Sequence, residues 1–161
     1  MRFGTRTEHK RKWTPQGHRP YAPMKIGYEF SYLYVALKPY TGEVFAMFLP
    51  YMNSECFTLF IKEFSQCINR TTLLIADRAT THQSKATKDT LVVLQHLPTA
   101  CPELNPVERF FQELRKELAN KVFDSIQQAQ DQVIRALAKV TESLDSVIRL
   151  TLFPYIYAHK L

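Results

Sequence analysis

Ile26, Tyr28, Phe30, Tyr32 and Tyr34 recur at every second position in IGYEFSYLYVALKPY, an aromatic and β-branched pattern that predicts a strand. Pro39, Tyr40, Thr41 and Gly42 supply turn chemistry and EVFAMFLPY predicts a second strand, so residues 26–51 read as an antiparallel hairpin. The period then changes to that of a helix. Phe57, Phe60, Ile61 and Phe64 follow Asn53 or Ser54 as the cap and predict a helix over about 54–68. Leu73, Leu74, Ile75 and Ala76 run unbroken into Asp77, as in a strand covered on both faces by helices. HQSKATKD has room for one helical turn or two, and LVVLQHL at 91–97 predicts another short strand, ended by Pro98 and Pro102.

Asn105 and Pro106 open a helix whose apolar face is Val107, Phe110, Phe111, Leu114 and Leu118. A last helical region runs from about Ser125 to Leu144, with Ile126, Ala129, Val133, Ala136, Leu137 and Val140 on one side. Residues 1–23 read as irregular or extended, because Pro15, Gly17, Pro20 and Pro23 break a helix and the charges break a core strand. The order β-β-α-β-(α)-β-α-α predicts an α/β fold with a mixed sheet flanked by helices.

With 161 residues, 45% of them hydrophobic, the chain suits one domain over 1–161: a basic extended segment, 1–25, and a globular part, 26–161. Three cysteines without a Cys-x-x-Cys pair suggest neither a disulfide framework nor zinc, and point to the reducing cytoplasm. No apolar run approaches the roughly 18 residues of a membrane span. The net charge of +6 is unevenly placed: residues 1–25 carry seven basic side chains against Glu8 alone, whereas the other 136 residues carry 14 basic and 14 acidic ones. Arg2, Arg6, Lys10, Arg11, Lys12 and Arg19 around Trp13 have the footprint of a nucleic-acid backbone contact, or of a solvated basic tail.

Two carboxylates stand out by position. Asp77 ends an apolar strand, where open α/β sheets bind ligands, although an Asp there also commonly caps a turn. Glu108 sits three residues after Asn105, in a sequence that reads equally as a helix capping box and as a carboxylate fixed for a hard cation. His96 and His159 lie in apolar contexts and read as structural, and Arg78 can meet a phosphate or neutralise Asp77.

The strings around these residues are specific. LLIADRATTHQS and then HLPTACPELNPVERFFQELRKEL resemble the second and third catalytic blocks of mariner-related bacterial insertion-sequence transposases, of the DDE superfamily. Those blocks read roughly strand-Asp-Asn-x-x-x-His and Ser-Pro-Glu-Leu-Asn-Pro-Ile-Glu-x-x-Trp. MRFGTRTEHKRKWTPQGHRP resembles the block that follows the family's first catalytic Asp, written Asp-Glu-x-Arg-Phe-Gly, with Met1 at its x. Arg78 stands for the usual Asn, Cys101 for Ser and Phe111 for Trp, and 30 residues separate Asp77 from Glu108, a short interval for the family.

The resemblance implies an RNase H-like fold lacking its first central strand, truncated so that the first catalytic Asp precedes Met1. It implies Asp77 and Glu108 as catalytic and metal-binding residues, with His82 beside them. It implies Mg²⁺ or Mn²⁺ as cofactor, weakly held without the first Asp, and transposon-end and target DNA as partners, with a second copy of the chain as a further one. The expected function is cleavage and strand transfer of DNA phosphodiesters, inactive in this chain acting alone. The alternative is a non-catalytic DNA-binding or interaction protein that keeps the fold.

Overall fold

The structure is a computed structural model and describes residues 1–78, 84–99 and 101–157. Strands β1 (Arg2–Gly4), β2 (Phe30–Lys38) and β3 (Glu43–Leu49) form an antiparallel sheet in the order β1-β2-β3. Helix α1 (Ser54–Gln66) leads to β4 (Thr72–Ala76), which pairs in parallel with β5 (Val92–His96) in a second sheet. Helices α2 (Pro106–Leu118), α3 (Ile126–Val140), α4 (Leu144–Thr151) and a short α5 (Pro154–Tyr157) complete the fold, and a 3₁₀ turn at Ser84–Thr87 precedes β5.

The hairpin forms where the alternation places it, from Tyr32 opposite Leu49 to Lys38 opposite Glu43. Gly42 (φ 73°) closes the turn, and its missing Cβ leaves room for the Leu144 carbonyl. Both faces of β2 are covered. Leu33, Val35 and Leu37 join Phe110, Leu114, Ala129, Val133 and Val147 in one core, under α2, α3 and α4. Tyr34 and Ala36, with Tyr32 at the margin, join Phe57, Phe60 and Ile61 of α1 in the other, where Tyr34 and Phe60 lie 5.5 Å apart between ring centroids. Asn53 caps α1, its side chain accepting from the Cys56 N–H at 2.8 Å.

Four expectations are corrected. Arg2–Gly4 is not irregular: it pairs with Phe30–Tyr32, and Phe3 is buried against Phe48. Three residues are too few to show a period, and a neighbouring edge created the strand. Ile26 and Tyr28 continue the alternation but lie outside β2 and are exposed: this end pairs with Thr5 and Thr7, and among the described residues no apolar layer covers the two side chains. The last helical region forms as α3 but stops at Val140, and a further helix, α4, follows beyond the expected end, with Ser143 capping it by accepting from the Ser146 N–H at 3.2 Å. Finally, β4 is covered on one face only: Leu74 packs on the α1 core beside Leu94, whereas Leu73 (58%) and Ile75 (52%) face outward.

Among the described residues no strand lies between β2 and β4. A cleft of about 640 Å³ separates them, walled by Leu33, Tyr34 and Val35 on one side and by Leu74, Ile75 and Ala76 on the other. The two sheets therefore meet through α1 and its apolar contacts and not through hydrogen bonds. No helix among the described residues is long and apolar enough to cross a membrane.

Phe110 is fully buried, so Phe110→Ala should lower stability by about 3–5 kcal/mol, while Leu73→Thr on the outward face should change it by less than about 0.5 kcal/mol. Urea unfolding of the two variants measures both, and a large loss in Leu73→Thr would mean that the outer face of β4 is covered in solution.

Candidate functional site

Parallel pairing brings the C-terminal ends of β4 and β5 together, Ala76 opposite His96, so Asp77 emerges beside the β5 end. His96 Nδ1 lies 3.1 Å from the Asp77 carbonyl oxygen, consistent with its reading as a structural histidine. The Arg78 Nε donates to the Leu97 carbonyl at 3.2 Å, which ties this guanidinium to the same strand end. Asp77 is exposed at the mouth of the cleft.

Glu108 arrives from the opposite core, in the first turn of α2. Asn105 caps the helix, its side chain accepting from the Val107 N–H at 3.3 Å. The expected capping box is only half formed. The Asn105 N–H donates to the Pro102 carbonyl at 3.0 Å, so the 3₁₀ turn at Pro102–Leu104 has taken the donor that Glu108 would have used. The Glu108 carboxylate instead lies 3.8 Å from Arg115 Nη1, two helical turns along the same face.

Asp77, Asn105 and Glu108 all line the cleft, and the same three line an adjoining hollow of about 280 Å³ with Arg78, Thr99 and Cys101. The structure thus brings together the two carboxylates singled out in the sequence. His82 and His159 lie outside the described residues. Among the described residues no group of three or more His, Cys, Asp or Glu side chains is placed to hold a metal ion.

Further groups line the cleft. The Leu33 N–H donates to the Met1 carbonyl at 2.8 Å, which continues the β1–β2 pairing by one residue. Arg115 lines the cleft as well, beside Glu108. Tyr34, also a lining residue, donates its hydroxyl to the Tyr51 carbonyl at 3.0 Å, and burial pushes its pKa up to about 12.

The basic residues separate into two groups. Arg2 lies at the cleft wall with its guanidinium 4.7 Å from the Phe30 ring centroid. Arg6, Lys10, Arg11, Lys12, Trp13 and Arg19 are exposed on a strap joining β1 to β2. The strap is pinned at its stem. Asn120, at φ 59° just past α2, donates its N–H to the Glu8 carbonyl at 2.8 Å, and its side-chain amide exchanges hydrogen bonds with the Lys10 backbone at 3.2 and 3.3 Å. Asn two residues beyond a helix end is a known left-handed terminator, so this position was readable, although its partner was not.

Asn105→Ala should cost about 1 kcal/mol of stability and Glu108→Gln less, in urea unfolding; the reverse order would indicate a closed capping box in solution. Because the folded pKa of Tyr34 is raised, its contribution is complete below pH ~10 and is lost as pH rises toward ~12, where only the unfolded chain ionises. Stability should therefore fall above pH ~10, and Tyr34→Phe should flatten that fall.

Residues 1–130 match the pattern of the DDE superfamily endonuclease family. A protein of Sinorhizobium fredii (strain NBRC 101917 / NGR234), the uncharacterized protein y4pE/y4sA, is 31% identical over 98 residues, covering 58% of this chain and 73% of that protein. Among solved structures, the Mos1 strand transfer complex superposes with a TM-score of 0.60 at 16% identity. The Mos1 transposase paired-end complex with left transposon end does so with a TM-score of 0.59 at 17% identity. Each alignment covers 92% of this chain and 52% of the other, so the chain spans about half the length of the transposase chains it resembles. At these identities the superpositions establish a shared fold, the RNase H-like arrangement expected from the sequence. With well over half of its length matched, the chain belongs to the DDE superfamily endonucleases.

Proposed function

We propose that this chain contributes part of a metal-dependent active site that acts on DNA phosphodiesters, with Asp77 and Glu108 as its metal-holding carboxylates. The observation that supports this reading most directly is their convergence, from two separate cores, on one cleft and its adjoining hollow. The donor set fits one hard cation, since Mg²⁺ takes one or two carboxylates and completes its shell with water and phosphate oxygens. When bound, such an ion polarises the phosphodiester and favours an attacking hydroxide at neutral pH.

The chain's own residues do the remaining work. The Asn105 cap holds the first turn of α2 and so aims Glu108. Arg115, 3.8 Å from that carboxylate, stands ready to meet a phosphate oxygen. The cations of the strap, Arg6, Lys10, Arg11, Lys12 and Arg19, supply the backbone contacts that hold DNA, and the same surface suits transposon ends and target DNA alike. A two-ion clamp on the attacking and leaving oxygens requires a further carboxylate beyond this pair, so the chain acting alone holds one ion weakly and does not cut. His82 is proposed to serve the same site, as the family resemblance implies, and a second copy of the chain is the natural companion for joining two DNA ends. The three free cysteines fit a reducing compartment, the cytoplasm.

A non-catalytic DNA-binding role is the second reading, favoured by the lack of a third metal-ligating side chain near the pair among the described residues. Titration calorimetry with Mn²⁺ and a nicking assay on supercoiled DNA separate the two. The expected outcome is one weak Mn²⁺ site, lost in Asp77→Ala and in Glu108→Ala, with no nicking by the chain alone. Mn²⁺ binding indifferent to both substitutions would sink the carboxylate pair, and Mn²⁺-dependent nicking abolished by Asp77→Ala would overturn the inactivity.

A further inference from the structure

We propose that the tip of the strap is a stacking site for unpaired nucleobases, with Trp13 as its platform. Trp13 is the one tryptophan of the chain and is wholly exposed, at 104% of its reference area. An indole has the largest apolar face of any side chain, and a soluble domain rarely leaves one fully in water without a partner for it.

The strap holds this face in a defined place. Besides the Asn120 anchor, its two limbs are joined by the Thr7 N–H to the Lys25 carbonyl at 3.1 Å and by the Lys25 N–H to the Thr7 hydroxyl at 3.0 Å. The Lys25 ammonium reaches Asp124 at 3.4 Å, which fastens the return limb to the body. Directly after Trp13 the chain makes a hydrogen-bonded turn: the His18 N–H donates to the Pro15 carbonyl at 3.1 Å and the Thr14 hydroxyl to the His18 carbonyl at 3.0 Å, with Gly17 at φ 85°. Three prolines, Pro15, Pro20 and Pro23, stiffen the tip further. The backbone that carries Trp13 is therefore held, so binding there orders little of the main chain.

Its surroundings select the ligand. Lys10, Arg11 and Lys12 precede Trp13 and Arg19 follows the turn, so phosphates are drawn to the flanks of an aromatic face. Bases in a duplex already stack on each other, so an exposed ring gains most from bases that are unpaired, whatever their identity. A second copy of the chain is the less favoured occupant, because two straps that each carry most of the +6 charge repel one another. The inference rests on the DNA-acting reading but not on Asp77 or Glu108.

Because Trp13 is the only tryptophan, its fluorescence reports on the site directly in the full chain. A dT oligonucleotide should quench its emission far more than a hairpin duplex does. Trp13→Ala should weaken dT binding about ten-fold with the salt dependence unchanged, and Trp13→Phe should retain part of the affinity. Unchanged emission when anisotropy shows dT bound, or equal dT affinity in Trp13→Ala, overturns the proposal. So does a concentration-dependent emission shift that accompanies doubling of the mass without DNA, which assigns the strap to a second copy. Binding to neither DNA overturns both this and the DNA-acting reading; quenching that persists while Mn²⁺ ignores Asp77 and Glu108 sinks only the metal site.

Discussion

Burial of β2 on both faces is the constraint on which the rest depends. Leu33, Val35 and Leu37 belong to the core under α2, α3 and α4, whereas Tyr34 and Ala36 belong to the core under α1. Glu108 is carried by the first of these cores and Asp77 by the second, through Leu74 and the α1 helix. β2 and its hairpin partner β3 belong to both, β3 through Val44 and Phe48 in the first and Phe45, Met47 and Leu49 in the second. The relation between the carboxylates is thus set by this hairpin and by how tightly two separate apolar clusters close on it, which makes the site sensitive to packing far from the cleft.

The cleft is the other side of this arrangement. The β2 edge beyond Tyr32 and the β4 edge face each other across it without a strand between them among the described residues. Arg115 compensates Glu108 there, while Asp77 opens toward solvent. The positive excess is held apart, on the strap, so that attraction of a polyanion and coordination chemistry occupy different parts of the surface.

Much of this was legible in the chain. The alternation through Phe30–Tyr34, the helical spacing of Phe57, Phe60 and Ile61, and the Asn105-Pro106 helix start were each local signals, and each element formed where its signal lay. The two carboxylates were legible too, because a strand end and a helix start are places where local sequence reports position. What failed was inference about surroundings. Leu73 and Ile75 read as doubly covered, and an apolar run does not say whether a second layer exists. The capping box failed because a neighbouring turn supplied a competing acceptor, which spacing within the helix cannot show.

By itself, the sequence determined the element order from β2 to α3, the helix starts, the location of the basic excess and the two blocks that hold Asp77 and Glu108, since these depend on residues a few positions apart. Only the tertiary structure decided that Arg2–Gly4 is a strand, that two sheets flank a cleft, that Arg115 pairs with Glu108, and that Asn120 anchors the strap. Most of these contacts join residues far apart in the chain. Their partners are chosen by which surfaces remain after the local elements pack, and no local pattern encodes that remainder.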